Sequence, residues 1–471
     1  MRKPLATGLE IDLAGGLTEE VTPHAGVGLL IELMRRSGVI AAAERHLPGK
    51  QSTKGLRQGE LVEAFIVLSA LGGECLDDFD TLRRDRGLAA LLGYSLPAAS
   101  PARQRLDQFH DPAAVAGRPQ QGSFIPAESV GLVGLRTVEE HSVRTYCAAV
   151  QPGPLVTLDV DAHLVEASKQ RALRTYEGFR GYQPLLVTWA ETGLVLADEF
   201  RDGNVPASQR LKELVDTAFA ALPHRAAACP DAGGDPWQVS VRSDSAAYEQ
   251  DILDHWHQRQ WRFAVSADMS KALEREIKAL PPETWTVCGQ EATGIVREWA
   301  EVAYVPSRKT EKKAAPVYRY LAIRVRTPQG VLVGDGASVK HFAVVTNDWE
   351  TDGHALLTWQ RGKAGTIEPV HHVLKNELAA GVYPSDKFGA NAAWLRLQVL
   401  TLNLLEILKA TALDEPYRRA RPKRLRFAIF TQFGRVVRHA RSHLLRLTTR
   451  VLDALLRPGL RRIRLAAWAD P

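Results

Sequence analysis

A chain of 471 residues, 45% hydrophobic and 24% charged, has ordinary globular composition and room for more than one domain, which excludes a disordered or fibrous protein. Its four cysteines, Cys75, Cys147, Cys229 and Cys288, lie far apart with no metal-ligand spacing, which excludes a disulfide scaffold or structural zinc and makes them small buried residues; no apolar run of about 18 residues is present to span a membrane. The net charge of +6 is unevenly placed: residues 416–471 hold fourteen arginines and one lysine against Asp453 and Asp470, so the remainder is net acidic.

Apolar residues recur at helical spacing in VGLLIELMRRSGVIAAAERHL and ELVEAFIVLSALGG, and SPARQRLDQF offers Ser100 as a helix cap with Pro101 in the first helical position. The segment from about Gly26 to Asp111 therefore reads as helical. Arg103 and Arg105 near that helix start suit a DNA contact of the helix-turn-helix type, and a dimerisation or packing module explains the same helices equally well. The segment that follows, with GRPQQGSFIPAES inside it, reads as a linker.

PLVTLDVDAHLVEAS, Pro154 to Ser168, is a buried-strand sequence interrupted by Asp159, Asp161 and Glu166, although an unpaired buried carboxylate is costly. PLLVTWA and VLADEF follow as a hairpin, then SQRLKELVDTAFAAL as an amphipathic helix. WQVSVRSDS ends a short strand on Asp244, where open α/β sheets bind ligands, and the same residue also suits a helix cap. FAVSA, GIVREWAEVAYVP, VYRYLAIRVR and HFAVVTND alternate like strands around the basic loop SRKTEKKAAP. Within LLTWQRGKAGTIEPVHHVLKNELAAGVYP, Glu368, His372 and Lys375 fall on one helical stripe. In the tail, Val437, Ala440, Leu444, Leu447, Val451 and Leu455 are spaced as one helix face, with Arg435, Arg438, Arg446 and Arg450 on the other; the preference for arginine favours phosphate over a merely solvated face or a membrane surface.

Two strand-end aspartates and a helix glutamate supply oxygen ligands for two hard divalent cations about 3.5–4 Å apart, the arrangement that activates an attacking oxygen and stabilises a leaving one in phosphodiester displacement. Bound cations would make up the solvation that the acids lose inside a strand.

From about Leu155 to Leu408 the chain resembles the DDE transposases of bacterial insertion sequences, through LDVDAHLVEA, YEGFRGYQPLL, FRDGNVPAS, VRSDS and LKNELAAGVYPSDKFGANAAWLRL. The resemblance implies an α/β fold with an RNase H-like mixed sheet flanked by helices, and a β-rich insertion before the third acid. The first acid is then Asp161, with Asp159 on the same strand face as the alternative; the second is Asp244 and the third Glu368. Mg²⁺ or Mn²⁺ is the implied cofactor. In the family signature of Tyr, Arg, Glu and Lys, Glu368 and Lys375 keep the spacing of seven, so Lys375 would hold a DNA phosphate. Arg361 and Ala364 stand at the Tyr and Arg positions, with Trp359 and Arg361 as substitutes for the missing grip, and Glu377 is the weaker alternative for the third acid.

This reading divides the chain into a helical DNA-binding or assembly domain (1–115), a linker (116–153), the first part of the core (154–268), the insertion (269–340), the last part of the core (341–412) and a basic helical tail (413–471). Trp285, Trp299, Lys309, Lys312 and Lys313 in the insertion are further expected DNA contacts. A cytoplasmic, nucleoid-associated bacterial enzyme is implied, acting as a homodimer on the terminal inverted repeats and target of double-stranded DNA, without a membrane. A glycosidase with paired carboxylates would not need the arginine-dense tail, and a non-catalytic DNA-binding regulator would leave the strand acids without purpose.

Overall fold

The computed structural model describes residues 20–49, 55–119, 121–229, 236–306, 316–327, 339–439 and 442–471. A nine-stranded mixed sheet is built of β1 (Leu155–Ala162), β2 (Leu185–Trp189), β3 (Leu194–Glu199), β4 (Gln238–Ser243), β5 (Arg262–Ala267), β6 (Thr286–Gln290), β7 (Val296–Val302), β8 (Arg319–Arg326) and β9 (Val339–Thr346), in the spatial order β6-β7-β8-β9-β5-β4-β1-β2-β3. β1, β2 and β3 form an antiparallel meander, while β4 and β5 run parallel to β1. This is the RNase H-like arrangement. All five residues of β2 are buried, so its sequence, LLVTW, is apolar except for Thr188 rather than alternating, as expected of a strand covered on both faces.

The strands of the expected insertion continue the core sheet without a break. β9 pairs antiparallel with β5, Val345 opposite Val265, and β6 adds an edge strand not foreseen from the sequence.

Helices α1 (Val130–Val150), α2 (Gly353–Arg361), α3 (Ile367–Glu377) and α4 (Phe388–Ala412) complete the frame. α1 replaces most of the expected linker. Its pattern is obscured by Gly131 and Gly134, which stand where a side chain has no room: a Cβ on Gly134 would lie 2.4 Å from the His46 carbonyl oxygen, and one on Gly131 2.8 Å from the Phe109 ring. α4 is buried along nearly its whole length. At its middle, Arg396 donates to Asp198 Oδ1 of β3 and to the Leu132 carbonyl of α1, both at 2.8 Å, so one guanidinium joins three elements. Asn403 covers the free edge of β3, accepting from Val195 N at 2.9 Å and donating to Val195 O at 2.8 Å.

The N-terminal helices Gly28–Arg36, Val39–His46 and Gln58–Leu71 share this core, with the Phe65 ring edge-on to Trp394 at 6.1 Å. Helix Ala99–Asp107 is capped at Ala98 rather than at Ser100, and its Arg103 and Arg105 donate to Pro384 O and Gln58 Oε1.

The expected tail helix is corrected. Gly434–His439 and Ser442–Arg446 are antiparallel strands, Val437 opposite Leu444, and Val21–Thr22 from the far end of the chain adds a third strand, Val21 opposite Arg435. Short runs of valine and leucine between arginines serve either periodicity, and the distant strand decides between them. Among the described residues the tail is helical at 422–430 and at 449–465; in the last helix, Arg457–Leu465, Ile463 is buried and Arg464 meets Glu32 of the first helix. Among the described residues no helix is long and apolar enough to cross a membrane. Cys147 and Cys229 are buried, Cys288 partly so, and Cys75 is exposed.

Candidate active site at the ends of the parallel strands

β1 and β4 run in parallel register with Asp159 opposite Arg242 and Val160 opposite Ser243, so the next residues, Asp161 and Asp244, close neighbouring strands at their carboxyl ends. Asp268 follows the end of β5 in the same way.

The two acids of β1 differ in their surroundings. Asp159 is 0% exposed; Arg242 Nε and Nη2 donate to its two oxygens at 2.6 and 2.8 Å, and the Thr366 hydroxyl donates to Oδ2. The Arg242 side chain is 6% exposed and its Nη1 continues to the Trp359 carbonyl at 2.6 Å. Asp159 therefore ties β1, β4 and α2 together. Asp161 is 19% exposed and meets Lys363 Nζ at 2.7 Å and His371 Nε2 at 3.2 Å. Burial pushes its carboxyl up, but the His371 and Lys363 contacts outweigh that and hold it below the usual carboxylate range. The ring of His163 lies 4.2 Å from that of His371; burial first, and His371 second, hold His163 far below the ordinary imidazole value, so it is neutral at pH 7.

Asp244 is exposed, and its Oδ1 accepts from Ala246 N at 3.1 Å, so it does cap the short turn after β4. Glu368 is exposed in the first turn of α3, and one turn later His371 reaches Asp161, which sets α3 against the end of β1. The three acids thus lie on adjoining elements. Among the described residues, however, no three acid, histidine or cysteine side chains stand close enough to hold a metal ion. Carboxylate oxygens are the donors of a hard divalent cation, and the group seated on Asp161 is itself a cation, the Lys363 ammonium from the Gly362–Gly365 turn.

Of the expected DNA contacts, Lys375 is exposed on α3, close enough for its charge to depress His163, and Arg361 is exposed at the end of α2. Trp359 is instead partly buried against the second apolar cluster, with the guanidinium groups of Arg242 and Arg262 over its ring at 5.4 and 4.3 Å. Trp285 is buried with Arg324 4.1 Å above it, and Trp299 is partly buried against the second apolar cluster. Lys309, Lys312 and Lys313 lie outside the described residues. Arg435, Arg446 and Arg450 are exposed; the side chain of Arg438 lies outside the described residues. Glu377 is buried and accepts from Lys423 N at 2.9 Å, a structural contact.

Sequence reasoning missed Lys363, His371 and Asp268. His371 adjoins His372, which was placed on the stripe, and the phase of a helix within one residue decides which imidazole turns inward. Lys363 carries no motif signal.

No curated protein sequence matches this chain. A piggyBac transposase synaptic complex with hairpin DNA, solved by cryo-EM, is similar with a TM-score of 0.41 and 10% identity, over 85% of this chain and 80% of that one. The family described as transposase DDE domain group 1 matches residues 8–468, which includes Asp159, Asp161, Asp244, Asp268 and Glu368. With nearly its whole length inside that match, the chain belongs to the DDE transposase family, group 1.

Proposed function

We propose that the chain is the DNA transposase of an insertion sequence, binding the terminal inverted repeats as a homodimer, cleaving the element ends and joining the freed 3′ hydroxyls to target DNA. Asp161, Asp244 and Glu368 would hold two Mg²⁺ or Mn²⁺ ions, which when bound supply polarisation of the phosphate and activation of the attacking oxygen. The observation that carries this reading is the placement of Asp161 and Asp244 at the ends of neighbouring parallel strands, with a cationic group already on Asp161.

The remaining residues take supporting roles. The Asp159–Arg242 bridge keeps β1 and β4 in register, so that Asp161 and Asp244 stay side by side. Lys375 and Arg361, exposed on the segment that carries Glu368, grip phosphates beside the cleaved bond. In the tail, Arg435, Arg446 and Arg450 are exposed, and a DNA backbone laid across that face releases counterions.

The test is nicking of a DNA fragment carrying the element's own ends, with Mg²⁺ or Mn²⁺ and with chelator. Metal-dependent nicks at the repeat boundary are expected. Tight binding with no nicking under any divalent cation would leave a non-catalytic DNA-binding regulator.

A further inference from the structure

The tail sheet turns apolar side chains toward solvent, and the function proposed above makes no use of them. Directly opposed residues of an antiparallel pair share one face. In the hairpin of Gly434–His439 with Ser442–Arg446, Val436 opposes Leu445 on one face, while Val437 opposes Leu444 on the other. The first pair faces the body of the protein, with Val436 3% exposed and Leu445 partly buried. The second faces outward: Leu444 is 48% exposed and Val437 partly so, and Arg435 and Arg446, the next opposed pair on that face, are exposed as well. Phe433, which precedes the strand and keeps its alternation, is 64% exposed.

The chemistry of this face has a complement in duplex DNA. Neighbouring strands lie about 4.8 Å apart, so a two-stranded ribbon enters a major groove about 12 Å wide. The third strand, Val21–Thr22, pairs with Gly434 and Arg435 at the base of the hairpin, and Val437 and Leu444 lie beyond those pairs. Among the donors and acceptors of the major groove stands one apolar group, the 5-methyl of thymine, and phosphates line the groove on both sides. An apolar pair beside an arginine pair matches that pattern. The charge of the tail points the same way: residues 416–471 hold fourteen arginines and one lysine against Asp453 and Asp470, and Arg457 pairs with Asp453 at 2.6 Å. A second copy meeting this face through the same surface would set arginine against arginine.

We infer that the outward face of the hairpin lies in the major groove of the terminal repeat, where Val437 and Leu444 select thymine by its methyl group and Arg435 and Arg446 hold the flanking phosphates. The inference rests on the proposed reading of the tail as a DNA contact, to which it adds selection of a base. The arginines position the protein and the apolar pair specifies.

The test is binding of the full chain, in chelator, to a fragment carrying the terminal repeat, with each thymine in turn replaced by uracil. That change removes the methyl and leaves the hydrogen-bonding edges as they were. Uracil at one or two positions should weaken binding about fourfold, the worth of one buried methyl. Leu444→Ala should bind the thymine and uracil forms alike at those positions and keep the parent's dependence of log K on log salt, since it removes no phosphate contact. Parent protein indifferent to uracil at every position, or a Leu444→Ala that keeps the parent's sensitivity, would overturn the inference. Leu444→Ala with an altered mass in solution and unchanged DNA binding would overturn it in favour of a protein contact. A parent that senses the methyl through Leu444 but never nicks under any divalent cation would refute the catalytic reading and leave the groove assignment standing; nicking at the repeat boundary with no methyl effect would do the reverse.

Discussion

Asp159 and Asp161 are two residues apart on one strand, and their replacement separates the acid paired with Arg242 from the acid proposed to hold the ions. Asp159→Ala leaves the Arg242 guanidinium, 6% exposed, without the carboxylate that takes its Nε and Nη2, while the Nη1 bond to Trp359 remains. Breaking a buried pair on one side costs about 3–5 kcal/mol, a factor of about 10²–10⁴ in the unfolding equilibrium and roughly a molar in urea midpoint. Asp161→Ala frees Lys363, which at 13% exposure already has a route to water, so the loss should stay near about 1 kcal/mol. Urea unfolding followed by tryptophan fluorescence, with end cleavage measured on the same samples, reads both effects. Asp159→Ala should unfold early; Asp161→Ala should unfold near the parent and cleave nothing. Replacing both partners, Asp159→Leu with Arg242→Met, should recover much of the stability, since no charge is then left buried. An Asp159→Ala midpoint equal to the parent's, or cleavage surviving in Asp161→Ala, would refute the assignment.

Asp244→Ala and Glu368→Ala should each abolish cleavage while leaving fold and end binding nearly intact; if either cleaves near the parent rate, it is not one of the acids that hold the ions. Lys363→Gln removes the cation that competes for Asp161, so Mn²⁺ affinity of the DNA-free protein by titration calorimetry should rise several-fold, and a fall would mean that Lys363 supports the site instead. Replacing Arg435, Arg438, Arg446 and Arg450 with glutamine should flatten the dependence of log K on log salt by about 0.9 per lost phosphate contact, for all sequences alike; an unchanged slope with an altered mass in solution would make the hairpin a subunit contact. Burial pushes the Asp202 carboxyl up to about 6, partly countered by Arg118. The folded chain then holds a proton that the unfolded chain releases near pH 4, so this contribution is full below about pH 4 and is lost as pH rises through about 6, amounting to about 2–3 kcal/mol. Asp202→Asn should lack that loss, and parallel stability profiles between pH 4 and pH 7 would refute it.

The acids and the strands that carry them were legible from residue pattern, while the RNase H-like arrangement of the sheet was implied by the family resemblance. A strand buried on both faces reads as an apolar run, so carboxylates inside one stand out, as Asp159 and Asp161 do; Asp244 is marked instead by its place directly after a strand. The pattern could not say which acid of β1 is fully buried in an arginine pair, because both lie on one strand face; Arg242, from a strand adjacent only in the folded sheet, pairs with Asp159. Nor could it place Lys363 against Asp161, about two hundred residues apart in sequence and 2.7 Å apart in space, since an ion pair across that separation leaves no periodicity. α1 was hidden because the glycines that let it approach His46 and Phe109 are the residues that break a helical reading. The tail took the wrong secondary structure for a related reason: local spacing is ambiguous over a few residues, and the strand that selects β for Gly434–His439 is Val21–Thr22, whose backbone groups only the tertiary fold brings alongside.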